Sequence, residues 1–236
     1  MQQSFAYILN RRPFRDSSLL LDIFSEDFGR ICCVARPAKK RGKVVKGHTE
    51  PFRYLHIQWI GKGDVQTLIE ADERGRHTIP ASELLLGLYL NELIMLFTQQ
   101  HEPNSELFNA YKYTLHKMGD AQINRHILMR FELYLLQSLG HTLTLDIADE
   151  YLQNLAQSKS YFEFTKEDGL VSHEQNVGEI QPYQSQKILI SASLLLALQD
   201  IQNMQESQWK ELRIFLDKVL KVLSPRTMNT RKLLSL

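Results

Sequence analysis

The sequence predicts an α+β protein in which a small closed β-barrel precedes a helical region. Two patterns support this prediction. Up to residue 79, short apolar runs alternate with turn signals, as expected of strands. From Pro80 onward, apolar residues recur every three to four positions, which is the period of helices that bury one face. We therefore expect a barrel domain over residues 1–79 and a helical domain over residues 80–236.

Five strands are expected in the barrel domain, and turn residues separate them. The fourth strand gives the clearest signal, because Leu55, Ile57 and Trp59 alternate with more polar side chains, as in a strand with one buried face. Five short antiparallel strands in about 75 residues favour the OB-fold, whereas a β-sandwich normally needs more strands. The strands are predicted at Phe5–Leu9, Ser18–Ser25, Arg30–Ala35, Phe52–Ile60 and Val65–Ala71.

Helix signals follow in the second half of the chain. Ser82 is the expected N-cap of the first helix, and Asn104 or Ser105 that of the second, because such side chains accept hydrogen bonds from free backbone N–H groups. Gly140 follows the third helix and tolerates the positive φ that helix ends favour. The helices are predicted at 83–97, 106–118, 123–139, 185–200 and 207–223.

Positive charge is concentrated in residues 29–49, which we call the basic segment and which hold seven Lys and Arg side chains but no Asp or Glu. The other residues hold 21 Lys and Arg against 27 Asp and Glu, about −6, although the whole chain carries +1. A localised positive field suits a polyanion, and the segment joins two strands of a barrel type that often binds oligonucleotides. A solvated surface loop is the alternative. The predicted DNA-binding residues are Arg30, Arg36, Lys39, Lys40, Arg41, Lys43 and Lys46 in the segment, with Arg53 and Lys62 after it.

Aromatic residues follow the basic segment. Phe52, Tyr54 and Trp59 suit the stacking of bases, although a barrel this small also needs aromatic residues in its core. A smaller group of cations near the C-terminal end extends the positive surface or complements the dipole of the last helix. The members proposed to contact DNA are Arg226, Arg231 and Lys232.

A search for catalytic chemistry finds no familiar motif. The sequence lacks a nucleophile elbow, a P-loop, a zinc-protease motif and a Cys-x-x-Cys pair. Its eight histidines are scattered without companions at ligand spacing, so we expect no metal and no cofactor. Two acidic clusters imitate a two-metal nuclease site, but solvated loops and helix ends explain them better. The clusters are Asp72 with Glu73, and Asp146 with Asp149 and Glu150. We therefore predict a binding protein and not an enzyme.

Cysteine usage and hydropathy predict a cytoplasmic protein. The only cysteines, Cys32 and Cys33, are adjacent, so they point to opposite faces of a strand and cannot connect distant segments. The longest apolar runs, Leu84–Leu86 and Leu194–Leu198, are far too short to span a bilayer, and the first residues lack the order of a signal peptide. We expect no membrane partner.

The third predicted helix carries Arg125 and Arg130 beside apolar residues that include Leu128. The simplest interpretation is a core face with ordinary surface arginines. The alternative is a groove in which Leu88 and Tyr89 of the first helix supply apolar walls and the arginines supply a cationic rim. Such a groove suits a short acidic peptide that ends in an aromatic residue and a carboxylate.

Five pieces of the sequence, taken together in their order, identify a family. They are FAYILNRRPFRDSSLLLDIFSEDFGRICCVARPAKKR, KGHTEPFRYLHIQWIGKGDVQTL, LYLNELIMLF, RFELYLLQSLGH and SPRTMNTRKLL. These pieces resemble the bacterial RecO recombination mediators of the shorter, enterobacterial type. The order of the pieces, more than any single motif, carries the resemblance over about residues 1–142, and it resumes faintly near the end.

The resemblance implies an N-terminal OB-fold, a helical domain and a non-enzymatic role in DNA repair. It implies binding to single- and double-stranded DNA, annealing of complementary strands, and action with RecR. It also implies loading of recombinase onto strands coated by single-stranded DNA-binding protein, whose acidic C-terminal tail docks on the helical domain. The protein would then be cytoplasmic and associated with the nucleoid. An RNA-binding OB-fold module is the alternative function.

Many members of this family hold zinc with four cysteines in an insertion within the helical domain. In this sequence residues 143–183 contain no cysteine, so we predict no zinc. We expect only a small hairpin there, formed by Tyr161–Phe164 and Leu170–Ser172.

Overall fold

The computed structural model describes residues 1–15, 17–36, 49–119, 126–143, 147–172 and 187–230. The chain divides into two compact units. The first contains residues 1–127 together with residues 228–230, and the second contains residues 128–227. The first unit therefore includes residues from both ends of the chain.

The first unit is built on a closed five-stranded barrel, which confirms the predicted fold class. The strands are β1 (Gln2–Phe14), β2 (Ser18–Ser25), β3 (Gly29–Ala35), β4 (Arg53–Ile60) and β5 (Gln66–Arg76). Going around the barrel, the strand order is β1, β2, β3, β5 and β4. All neighbours are antiparallel except β3 and β5, which pair in parallel through Cys33 with Gln66 and Val34 with Thr67.

The parallel pair corrects the expectation that every strand would be antiparallel. After β3 the chain crosses over to place β4 beside β1, and β5 then returns along β4 in the same direction as β3. This Greek-key closure is the topology of the OB-fold.

The barrel interior is filled by the side chains that alternate inward along each strand. Leu55, Ile57 and Trp59 of β4 are fully buried, which confirms the alternation expected there. Cys33 lies in the same core, and Cys32 is buried as well; both cysteines are free.

Two helices of the first unit, α1 (Leu84–Phe97) and α2 (Ser105–Met118), pack on the outside of the barrel. The Asn91 side-chain amide donates to the Leu9 carbonyl oxygen at 2.8 Å, and the Tyr111 hydroxyl donates to the Asn91 side-chain oxygen at 2.6 Å. Phe108 of α2 lies with its ring centroid 5.3 Å from that of Phe24 on β2. The compact unit therefore continues past residue 79, which marks the change from strands to helices.

The turn between β2 and β3 holds the connection from α1 to α2 against the barrel. Gly29 has φ +65°, and a Cβ built there would lie 2.1 Å from the Glu102 carbonyl oxygen. No other residue type fits that approach without a shift of the backbone. Arg30 donates from Nε and Nη2 to the Thr98 carbonyl oxygen at 3.1 and 2.8 Å.

The expected N-caps have different outcomes. Asn104 caps α2, since its side chain accepts from the Leu107 N–H at 2.8 Å. Ser82 was wrongly predicted to cap α1. Ser82 lies within a 3₁₀ turn, Ala81–Glu83, that follows Pro80, and α1 begins only at Leu84. The Glu83 N–H donates to the Pro80 carbonyl oxygen at 2.9 Å, which closes that tighter turn.

The second unit combines helices with a small antiparallel sheet. Its elements are α3 (His126–Ser138), α4 (Asp149–Gln157), β6 (Tyr161–Thr165), β7 (Gly169–Ser172), β8 (Ile188–Ser191), α5 (Ala192–Gln199) and α6 (Glu206–Leu223). The strand order in the sheet is β7, β6, β8, and the β6–β7 hairpin confirms the predicted hairpin.

The helix predicted from residue 185 is wrong in its first part. Ile188–Ser191 pairs with β6 as a strand, and a helix begins only after it, capped by Ser191. The helix α4 was not predicted.

A buried ion pair connects α3 and α6 within the second unit. The Glu132 side chain is fully buried, and Arg213 Nη1 lies 3.0 and 2.8 Å from its two carboxylate oxygens. Arg213 also contacts Asp217 one turn further along α6, with Nη2 at 2.6 Å from Oδ1. Among the described helices, none is both long enough and apolar enough to cross a membrane.

Candidate nucleic-acid interface

The basic segment begins with β3, and its remaining residues lead towards β4. Arg36 is exposed directly after β3. At the other end, Thr49 and Phe52 are buried, and the His77 N–H donates to the Phe52 carbonyl oxygen at 3.0 Å. The two ends of the segment are thus anchored on the barrel. Its predicted DNA contacts Lys39, Lys40, Arg41, Lys43 and Lys46 lie outside the described residues.

The strand register brings two further connections towards Arg36. Leu19 pairs with Ala35, so the turn from β1 to β2 lies beside the end of β3. The pairing of Cys33 with Gln66 starts β5 beside β3, so the turn from β4 to β5 begins at the same flank of the barrel. In OB-folds these two turns are the loops that contact oligonucleotides. Lys62 is exposed in the second of them.

Sequence reasoning missed three arginines near this end of the barrel. Arg12 and Arg15 are exposed at the end of β1 and in the turn after it. Arg11 lies beside them, and its Nη1 is 2.5 Å from a carboxylate oxygen of Glu50. The run RRPFR at residues 11–15 shows this group of arginines in the sequence, but β1 was predicted to end at Leu9, so they were not placed on a strand. The strand continues to Phe14 and carries these arginines to the turn.

Two predicted DNA contacts have structural partners. Arg30 holds the Thr98 carbonyl oxygen, as described above. Arg53 forms an ion pair with Glu73, which Arg76 also contacts, its Nε 2.9 Å from Glu73 Oε1. Hydrogen bonds from Arg76 first, and from Arg53, hold the pKa of the Glu73 carboxyl below its usual value. A phosphate at Arg53 would therefore compete with a carboxylate that is already paired with it.

The three aromatic residues that were predicted to stack on bases differ in how deeply they are buried. Phe52 and Trp59 are buried and belong to the packed interior of the first unit, so they cannot stack on bases without unfolding. Tyr54 is only partly buried on the outer face of β4. Of the three, Tyr54 alone offers a ring to a ligand.

The outer face of β2 and β3 is largely covered, unlike the strand face that many OB-folds use for oligonucleotides. Asp22, Phe24 and Cys32 on that face are buried. Burial raises the pKa of the Cys32 thiol, and the nearby Asp22 raises it further. A ligand of this barrel is therefore left with the connecting loops and the outer faces of the remaining strands.

The other predicted sites lie in different parts of the chain. Arg226 is exposed after α6, whereas Arg231 and Lys232 lie outside the described residues. Of the predicted peptide-binding residues, Leu88 and Tyr89 belong to the first unit and Leu128 and Arg130 to the second. Arg125 lies outside the described residues.

Burial differs among these peptide-binding residues. Tyr89 and Leu128 are buried, whereas Leu88 and Arg130 are partly exposed. Arg130 Nη2 donates to the Gln202 side-chain oxygen at 3.0 Å, and its guanidinium carbon lies 5.8 Å from the centre of the Trp209 ring. The peptide site stays a prediction.

The acidic clusters do not assemble a metal site in the part of the chain that the structure describes. Asp72 lies 3.8 Å from Arg74, and Glu73 is paired with two arginines. The Gln199 side chain donates to Asp149 at 3.0 Å, and Asp146 lies outside the described residues. Among the described residues, no group of three or more His, Cys, Asp or Glu side chains is placed to hold a metal ion.

Comparison with known proteins covers both halves of the chain. Residues 1–74 match the family described as Recombination protein O N terminal, and residues 81–232 match Recombination protein O C terminal. A DNA repair protein RecO of Dechloromonas aromatica is 34% identical, over 78% of this chain and 77% of that protein. One from Coxiella burnetii is 30% identical over 97% of this chain and 96% of its own length. One from Aromatoleum aromaticum is 36% identical over 62% of each chain.

Proposed function

The chain belongs to the Recombination protein O family, and from this premise we propose that it serves DNA repair and recombination as a mediator. It binds single- and double-stranded DNA, anneals complementary strands, and helps to load a recombinase onto strands coated by single-stranded DNA-binding protein. It works by binding, without a covalent reaction step, in the cytoplasm and at the nucleoid.

The observation that carries this proposal is the separation of charge along the chain. Of the seven cations of the basic segment, six lie between β3 and β4 of the barrel and Arg30 lies on β3, while the remaining residues are net acidic. Exposed Arg36 follows the end of β3, and the pairing of Leu19 with Ala35 brings exposed Arg12 and Arg15, at the end of β1 and in the turn after it, to the same part of the barrel. A polyanion is therefore attracted to one end of the first unit and repelled elsewhere.

The proposed mechanism is electrostatic. Each Lys or Arg that contacts a phosphate releases a condensed counterion, which provides affinity without reading the base sequence. Neutralising phosphates on two strands lowers their mutual repulsion, so complementary bases can meet and pair. Two strands held at one site also have a high effective concentration towards each other.

The proposal includes two protein partners, RecR and the acidic C-terminal tail of single-stranded DNA-binding protein. The tail docks on the helical region, with Arg125 and Arg130 of the third predicted helix as its cationic contacts. A protein held by this tail stays on strands that are already coated. Arg130→Ala should then weaken binding of a peptide with the sequence of the tail, while the affinity for bare DNA is unchanged.

The experiment that tests the proposal compares the parent with a variant in which Lys39, Lys40, Arg41 and Lys43 are all changed to Ala. Binding to a single strand is measured by fluorescence anisotropy, and annealing by energy transfer between two labelled complementary strands. We expect both to fall at least tenfold. A matched control removes the same number of charges from exposed lysines of the second unit, Lys159, Lys166, Lys187 and Lys210.

Three outcomes would contradict the proposal. Equal losses in the two quadruple variants would mean that net charge alone matters. Tighter binding to RNA than to DNA of the same length would favour an RNA-binding module that contacts the 2′-hydroxyl. Mg²⁺-dependent cleavage that is lost in Asp72→Ala or Asp146→Ala would show a nuclease.

A further inference from the structure

We propose that Phe5, Tyr54 and Lys112 form a base-stacking site for single-stranded DNA on the outer face of the barrel. The site rests on the DNA-binding function proposed above and adds contacts with bases to those with phosphates. It lies on β1, β4 and α2, all within the first unit.

Phe5 and Tyr54 form a parallel aromatic pair. Their ring centroids are 5.0 Å apart and their planes differ by 14°. Phe5 remains 37% exposed although it is a large apolar side chain. One face of Phe5 lies against Tyr54, and part of the Phe5 ring remains open to solvent. A base placed there continues an existing stack.

The rings around this pair hold it in place. Tyr7 is buried beneath it, with its ring centroid 5.5 Å from that of Tyr54. The Tyr7 hydroxyl shares a hydrogen bond of 2.8 Å with His77 Nε2. His56, the register partner of Phe5 on β4, meets the Phe5 ring edge-on at 5.4 Å. A platform that is already ordered loses little conformational entropy when a base stacks on it.

Charge around the platform indicates how a strand would run across it. The Lys112 Nζ lies 3.9 Å from the centre of the Tyr54 ring, and its N–H groups can still reach a phosphate. On the other side, β5 places Asp72 opposite His56, where Asp72 lies 3.8 Å from Arg74. Lys112 thus favours phosphates on the α2 side of the stack.

The position of Tyr54 connects the platform to the basic segment. Tyr54 is the second residue of β4, the strand into which that segment leads. The segment ends at Thr49, only a few residues before Tyr54, so a DNA strand bound near that end of the segment lies close to the platform. A duplex keeps its bases stacked inside the helix, so it cannot use the platform. The site is accordingly expected to distinguish single strands from duplexes.

The test measures affinity for an oligothymidine strand in Phe5→Ala and Tyr54→Leu variants. Stacking of one base contributes enough that we expect roughly a five- to hundredfold weaker affinity in each. The log–log salt slope should not change, because phosphate contacts remain. Duplex affinity should also stay at the parental value.

Two further variants sharpen the test. Tyr54→Phe keeps the ring and should bind as the parent does. Lys112→Gln should make the salt slope shallower by about 0.7, as expected when one contact with a single-strand phosphate is lost. Tyr151→Ala removes an exposed aromatic residue from α4 and serves as the control that should bind normally. Thermal unfolding of each variant shows whether it has folded.

Unchanged single-strand affinity in folded Phe5→Ala and Tyr54→Leu would overturn the stacking site. Equal weakening towards single strands and duplexes would overturn it as well. If the quadruple variant of the basic segment loses affinity for DNA while Phe5→Ala and Tyr54→Leu keep theirs, the stacking site is wrong and the proposed function stands. If the parent binds no DNA at all, both are wrong.

Discussion

The buried ion pair between Glu132 and Arg213 gives a prediction with a magnitude. Glu132 is 0% exposed and Arg213 only 15%, so water does little to screen either charge. Removing one partner of a buried pair typically costs roughly 3–5 kcal/mol, because the other charge stays desolvated. Glu132→Leu leaves Arg213 in contact with Asp217, so we expect the lower end of that range. Arg213→Met takes one cation away from two carboxylates, so we expect the upper end.

The assay is urea unfolding followed by fluorescence of Trp209, which lies four residues before Arg213 on α6 and is buried. A Trp59→Phe background removes the signal of the first unit. The double variant Glu132→Leu/Arg213→Met replaces the pair by apolar side chains of similar volume, which is often close to neutral. We therefore expect the double variant to be more stable than either single variant.

The result that would refute this reasoning is additivity. If the loss in the double variant equals the sum of the two single losses, the side chains do not interact and the pair adds nothing beyond its packing. Single losses below about 1 kcal/mol would show that the carboxylate is solvated, as for a surface pair.

Three further predictions concern other parts of the fold. Gly29→Ala should lower the free energy of unfolding of the first unit by more than the roughly 1–2 kcal/mol of left-handed backbone strain, because the added methyl group meets a backbone carbonyl oxygen. Gly140→Ala is the control in urea unfolding: its φ is +85° and no atom lies within 4 Å of the added methyl group, so it should cost the backbone strain alone. Burial raises the pKa of the Cys33 thiol to about 12 and also raises that of Cys32, so both should resist alkylation at pH 8 until urea unfolds the barrel; rapid labelling of native protein would contradict this. Burial lowers the pKa of His77, and the nearby His116 and Lys112 lower it further. Because the unfolded chain then binds the proton more readily, the free energy of unfolding should fall as the pH drops below about 6.5. His77→Gln should reduce that loss when unfolding is measured from pH 7 to pH 5, and an unchanged pH profile would contradict the prediction.

The barrel could be predicted from sequence because its signals are local. Alternation in β4 and the glycine turns depend on neighbouring residues, and both are found in the structure. The parallel contact of Cys33 with Gln66 could not be predicted in this way, since it joins strands that are distant in the chain. The length of β1 was also missed, because residues 10–12 are polar, Pro13 follows them, and this part of the strand is paired with β2.

The second unit was harder to predict because tertiary contacts override local preference there. Ile188–Ile190 precedes a leucine-rich helix and extends its apolar run, yet it pairs with Phe162 and Phe164 as a strand. The helix α4 has one buried residue, Leu152, so its apolar signal is weak. β-branched isoleucines accept either state, and the available partner strand decides.

The positive charge of the candidate interface could be predicted from sequence, but the groups within the protein that pair with its arginines could not. A run of like charge is visible in sequence, whereas the Thr98 carbonyl that holds Arg30 and the Glu73 carboxylate that pairs with Arg53 are brought in by the fold. Likewise Phe5, predicted only as part of an apolar strand, becomes notable because the register places it beside Tyr54 and His56.

The central claim, that the basic segment contacts phosphates, is tested most directly by the salt dependence of single-strand affinity. Seven contacts predict a log–log slope of about −5, and removing Lys39, Lys40, Arg41 and Lys43 should make it shallower by about 3. The control variant with four lysines removed from the second unit should keep the parental slope. A slope that stays at the parental value after the four cations of the segment are removed would contradict the claim.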